Sequence, residues 1–165
     1  MNVLWDYLWP AYVAGLVAGI VAGIYGFRHR PRRNAAFAFG LAAAIGAAAL
    51  WHGPLGAADR LASRVERGIR EALVYYEMTQ VTGHVQHGPL TRRVQLSGPA
   101  DDFQRSELAR LMSQIPGASG ATWSAARGLP LILEGTAASL LGFLFGLLLA
   151  YLVELRRRHN AQWNW

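Results

Sequence analysis

Five histidines, one acid near the start of an apolar run and no cysteine make up the reactive inventory of this chain. His84 and His87 stand three apart across a predicted strand and turn, so their rings point to different faces. Two solvated surface imidazoles are the simpler reading there, with a metal site as the alternative. His29 and His159 lie among arginines and read as headgroup contacts. His52 ends an apolar run with Ala48 four residues before it. An imidazole so placed is able to ligate the metal of a macrocycle; an interfacial histidine beside Trp51 is the plainer account. Glu134 is the one candidate proton or ion carrier, because ionisable groups inside membranes tend to be functional. Its place about one turn after Pro130 favours an interfacial acid. Gly117-Ala118-Ser119-Gly120 has the GxxG form of nucleic-acid loops but no basic residue close beside it. No Gly-x-Ser-x-Gly, phosphate loop, carboxylate pair or His-Glu-x-x-His occurs. Lack of cysteine excludes thiol catalysis and Cys-based metal sites. The expectation is a non-enzymatic protein with no metal site.

The elements that must position these residues are set by composition. Hydrophobic residues make up 53% of the chain and charged ones 16%, against about 25% charged in ordinary soluble domains. The formal charge is +6, yet its placement argues against nucleic acid. Arg28, Arg30, Arg32 and Arg33 follow one apolar run, and Arg156, Arg157 and Arg158 follow another, where positive charge marks the cytoplasmic end of a span. Trp9 to Phe27 carries no charge; at ~1.5 Å per residue it reaches roughly 28 Å, enough to cross a bilayer. Asp6 before it and arginines after it argue for a retained span over a cleaved signal peptide. Trp5, Trp9 and Tyr12 fit an interfacial aromatic belt. A second span, about 35–52, is rich in Ala and Gly and ends at His52-Gly53-Pro54. The third, Leu129 to Val153, leads into a cytoplasmic tail in which Trp163 and Trp165 are expected as anchors. With three spans, the N-terminus and the polar middle fall outside, in the periplasm of a bacterial inner membrane.

Small residues repeat every fourth position on each span: Gly15, Gly19 and Gly23; Ala36, Gly40, Ala44 and Ala48; Ala138, Gly142, Gly146 and Ala150. Such ridges let backbones approach closely. They serve either packing among the three helices or docking into a larger membrane complex.

Between spans two and three, residues 57–128 are polar enough to fold in water. Ala57 to Met78 has helical spacing, with Leu61, Ala62, Val65, Ile69 and Leu73 on one face and Arg60, Arg64 and Arg67 on another. Glu66 with Arg70, and Arg67 with Glu71, are spaced as i,i+4 pairs. Val81, Gly83 and Val85 alternate with Thr82, His84 and Gln86; after a turn, Arg92, Val94 and Leu96 alternate with Arg93, Gln95 and Ser97. Asp101 or Asp102 is placed to cap a second helix, with Gln104 returning the bond, and Leu108, Leu111, Met112 and Ile115 form its apolar stripe. Ala118 to Ser124 reads as a third strand.

The pieces Val85-x-His87-Gly88, Val94-x-Leu96-Ser97-Gly98 and Ile115-Pro116-Gly117 resemble the BON domain (bacterial OsmY and nodulation) over residues 57–124. The turn here is longer by Pro89-Leu90, and Ala118 and Ala121 stand where the family usually has valine. The resemblance implies a small periplasmic α+β module that associates with phospholipid or envelope proteins and has no catalytic residues.

The expected fold is therefore three transmembrane helices with an α-β-β-α-β domain between the second and third. The expected function is that of an accessory subunit of a larger membrane complex, with membrane lipids and other subunits as partners. Arg60, Arg64, Arg67, Arg92 and Arg93 are the expected outer contacts, and Gly15, Gly19, Gly23, Gly40, Gly142 and Gly146 the helix-packing positions. Two alternatives remain. Ala48-x-x-x-His52 is similar to the arrangement by which light-harvesting helices ligate bacteriochlorophyll, so a pigment- or haem-holding subunit of a photosynthetic or respiratory complex is one. A small oligomeric transporter using Glu134 is the other.

Overall fold

A computed structural model describes residues 3–124 and 128–162. The three apolar runs form long helices: α1 (Val3–Arg28), α2 (Arg33–His52) and α5 (Leu131–Gln162). All three are long and apolar enough to cross a membrane. The polar middle contributes α3 (Ala57–Tyr75), β1 (Thr82–Val85), β2 (Arg93–Ser97), α4 (Asp102–Met112) and β3 (Gly120–Thr122), in the order α-β-β-α-β. Trp163 and Trp165 lie outside the described residues.

The chain divides into two compact units. One comprises residues 8–55 and 135–165. Its helices meet through small residues at near-contact of their backbones. A Cβ on Gly15 would run into the carbonyl of Ser139, and one on Gly19 into that of Phe143. From the other side, Gly142 faces the carbonyl of Tyr12 and Gly146 that of Leu16. Gly40 packs on Ala22 and Phe143, and Gly23 on Ala150. Ala44 and Ala48 are buried on the inner face of α2, and the Ser139 hydroxyl donates to the Ala44 carbonyl at 2.9 Å. Small residues on the facing ridges let the helices come this close, so their contact is van der Waals approach of backbone to backbone.

The other unit takes in residues 1–7 and 56–134, more than the expected 57–128. A three-stranded sheet of order β1-β2-β3 has β1 antiparallel and β3 parallel to β2. The α4 connection supplies the crossover that a parallel pair needs. Its core is built from side chains: Val65 and Ile69 of α3, Val85, Val94, Leu96 and Met112 are each essentially inaccessible. Gly83 on β1 lets α3 lie close, since a Cβ there would stand 2.6 Å from Ile69 Cγ2. The glycines of Leu96-Ser97-Gly98 and Pro116-Gly117 adopt φ of +131° and +98°, a region that L side chains rarely enter. These two motif glycines are thus set by backbone geometry at the ends of β2 and after α4.

Several boundaries differ from expectation. α1 begins at Val3, six residues before Trp9, because its first turn is packed: Tyr7 is 2% exposed and Val3 lies beside the site of Gly117. α5 continues beyond Val153 to Gln162, its arginines remaining helical. α3 stops at Tyr75, short of Met78. There Glu77 takes φ 57°, Met78 N–H donates to the Leu73 carbonyl and Glu77 N–H to that of Val74, a Schellman closure. At α4 the cap is Asp101: its carboxylate accepts from Gln104 N at 2.7 Å, and the Gln104 side chain accepts from Asp101 N at 3.1 Å, which completes a capping box.

Candidate functional site

The expected outer arginines part into two groups. Arg92, just before β2, donates from Nε to both carboxylate oxygens of Glu134, at 2.8 and 3.1 Å, and from Nη1 to the Gly117 carbonyl at 3.5 Å. Both partners are about four-fifths buried at the side chain. Glu134 is therefore ion-paired rather than isolated. It ties the first turn of α5 to the sheet, and Arg92 is not an outward contact. Leu131 N–H donates to the Leu90 carbonyl at 2.9 Å, and the Tyr7 hydroxyl to the Leu131 carbonyl at 3.3 Å, so the same turn is held three ways. Arg64 is ion-paired with Asp6. Arg60 and Arg67 are exposed on α3, and Arg93 is half-buried on β2.

The i,i+4 pairs expected on α3 are replaced. Among the described residues, Glu66 accepts from the backbone N–H of Val85 at 3.2 Å and no ion pair joins it to Arg70, or Arg67 to Glu71. A carboxylate near an otherwise unpaired strand amide gains a directed, charge-assisted bond, which an exposed helix pair would not match.

His84 is exposed on β1 opposite Gln95, and His87 is exposed in the following turn. His52 is half-buried at the end of α2, and Ala48 is buried. Among the described residues no group of three or more metal-ligating side chains converges. The glycines named for helix packing are all occupied by neighbouring helices of the same unit. What α2 leaves outward is a second row of small residues: Ala35, Ala38, Ala42 and Ala49 are exposed, and a Cβ on Gly46 would meet nothing within 4 Å.

Most carboxylates are already engaged in the fold. Asp6, Glu107, Glu134 and Glu154 are in ion pairs, Asp101 caps α4 and Glu66 holds Val85. Sequence reasoning missed Asp6 and Glu66 as ties, since each partner is remote in sequence. Comparison with protein-family models, curated proteins and solved structures finds no match for this chain.

Proposed function

We propose that this protein is a non-enzymatic, three-span accessory subunit of a larger bacterial inner-membrane complex. Its BON-like α+β unit is exposed on the periplasmic face and contacts headgroups or a partner through Arg60, Arg67 and Arg93. The observation that carries the membrane reading is the apolar surface the long helices leave uncovered. Val21, Phe39, Leu141, Leu144 and Val153 are all more than half exposed, Phe39 by 77%, a surface that suits lipid rather than water. The proposed orientation is supported by the arginines. Arg158 Nη2 donates to the Phe27 carbonyl at 3.3 Å, so the two arginine clusters lie at one end of the helices, as the positive-inside rule requires of cytoplasmic ends.

Docking into a complex is supported by the outward row on α2. The ridges of α1 and α5 are used within the chain, whereas Ala38, Ala42 and Gly46 form a small-residue row open to one more helix. Replacing Ala42 and Gly46 together by Leu leaves the interior untouched. In gently solubilised native membranes the wild-type protein should migrate well above its 18.0 kDa mass, and the double variant should fall to the monomer. A wild-type protein that already runs as a monomer, or an assembly indifferent to the double substitution, overturns the reading.

A further inference from the structure

A pocket of about 410 Å³ opens at the arginine end of the helical unit. Phe27, Tyr151 and Leu155 form its apolar walls, and Arg30, Arg33, Arg158 and Glu154 its polar ones. Glu154 does not make the pocket acidic. Its carboxylate accepts from Arg157 at 3.0 and 3.1 Å and from Arg158 at 2.9 Å, so its charge is already compensated. Arg158 is fixed further by the Phe27 carbonyl. Arg30 and Arg33, in contrast, make no side-chain hydrogen bond or ion pair among the described residues. They bracket Pro31 and the short 3-10 turn Arg30–Arg32, which presents both guanidinium groups to one opening.

We infer that this pocket binds the phosphate of an anionic phospholipid, with an acyl chain running down past Tyr151 and Leu155. Fixed and free guanidinium groups converge on one compact anion, and Arg is the side chain suited to bidentate phosphate contact. The walls are apolar and continue into the exposed faces of Leu152 and Leu155, which a soluble phosphate ester has no means to use. Basic pockets between helices on the cytoplasmic side are favoured places for such headgroups. This inference rests on the membrane-spanning reading and goes beyond it in naming one stoichiometric lipid site.

The test is native mass spectrometry of the full chain in detergent with phosphatidylglycerol or phosphatidylcholine added. Wild-type protein should retain phosphatidylglycerol preferentially, and the R30Q/R33Q double variant should bind it roughly ten- to thirty-fold more weakly. R28Q/R156Q removes the same charge outside the pocket and should bind nearly as wild type. Equal losses in the two double variants would mean diffuse surface charge and would overturn the site, as would absence of preference between the lipids. Displacement of the lipid by millimolar inorganic phosphate or glycerol phosphate would assign a soluble ligand instead and overturn the lipid assignment. Resistance to alkaline carbonate extraction is read in parallel: if it is lost in the wild type, the membrane reading fails, not the pocket.

Discussion

The two units of this molecule solve the same problem with opposite materials. In the α+β unit, contact is made by large side chains: Ile69, Leu96 and Met112 fill the space between helices and sheet. In the helical unit, contact is made by the absence of side chains, Gly15 and Gly19 against the backbone of α5, Gly142 and Gly146 against that of α1. Water rewards burying apolar area, so the first unit gains from size. On the membrane reading proposed above, lipid is as apolar as leucine, so the second gains only from closeness. A large-to-small change should therefore damage one unit, and a small-to-large change the other.

The sharpest break is Gly142→Leu. Its side chain would have to occupy the space of the Tyr12 carbonyl and the Leu16 amide, and backbone does not yield as a flexible side chain does. We expect α1 and α5 to separate, with loss of a monodisperse species in detergent. The mirror change, Ile69→Ala, should destabilise the α+β unit by about 2–5 kcal/mol and leave the helical unit's detergent stability unchanged. Near-wild-type thermal stability of Gly142→Leu in detergent would show that the backbones are not in contact.

The periodic features of both units were legible because they are local. Apolar runs marked α1, α2 and α5, and three- and four-residue spacing marked α3; alternation marked β2. Long-range ties were not legible. Asp6 reads as a charge before a span because Arg64 is 58 positions away, and Glu134 as an interfacial acid because Arg92 is 42 away. Four-residue spacing announced the glycine ridges without saying which helix would fill them. The arginine clusters marked the ends of α1 and α5, but the meeting of Arg30, Arg33 and Arg158 around Phe27 and Tyr151 depends on tertiary packing that no single segment encodes.

Arg92→Gln probes the ion pair that helps hold the first turn of α5. The pair is only partly buried, so it falls between a surface ion pair and a fully desolvated one. Leaving Glu134 unpaired should cost the α+β unit about 1–3 kcal/mol. R92Q/E134Q should recover part of that loss, since no unpaired charge remains. A single variant as stable as wild type by thermal melting would mean that the pair contributes nothing to stability and that the hydrogen bonds of Leu131 alone hold this turn.

The smallest effect has the opposite sign and concerns how helices end in each unit. α4 begins in a complete capping box and α3 ends in a Schellman closure, whereas α2 follows an N-cap, Arg32, that makes no side-chain bond. α3, in the α+β unit, also begins without a side-chain cap, at Gly56, so among these helices only the start of α4 is closed by a side chain. The closure of α3 is imperfect in one respect: Glu77, with φ 57°, sits in the left-handed region where glycine is preferred. Left-handed geometry costs an ordinary residue about 1–2 kcal/mol, while glycine adds unfolded-state freedom that offsets part of the gain. Glu77→Gly should therefore stabilise the α+β unit by roughly 0.5–1 kcal/mol, seen as a rise in its thermal midpoint. A fall instead would mean that the Glu77 side chain makes a compensating contribution to the closure of α3.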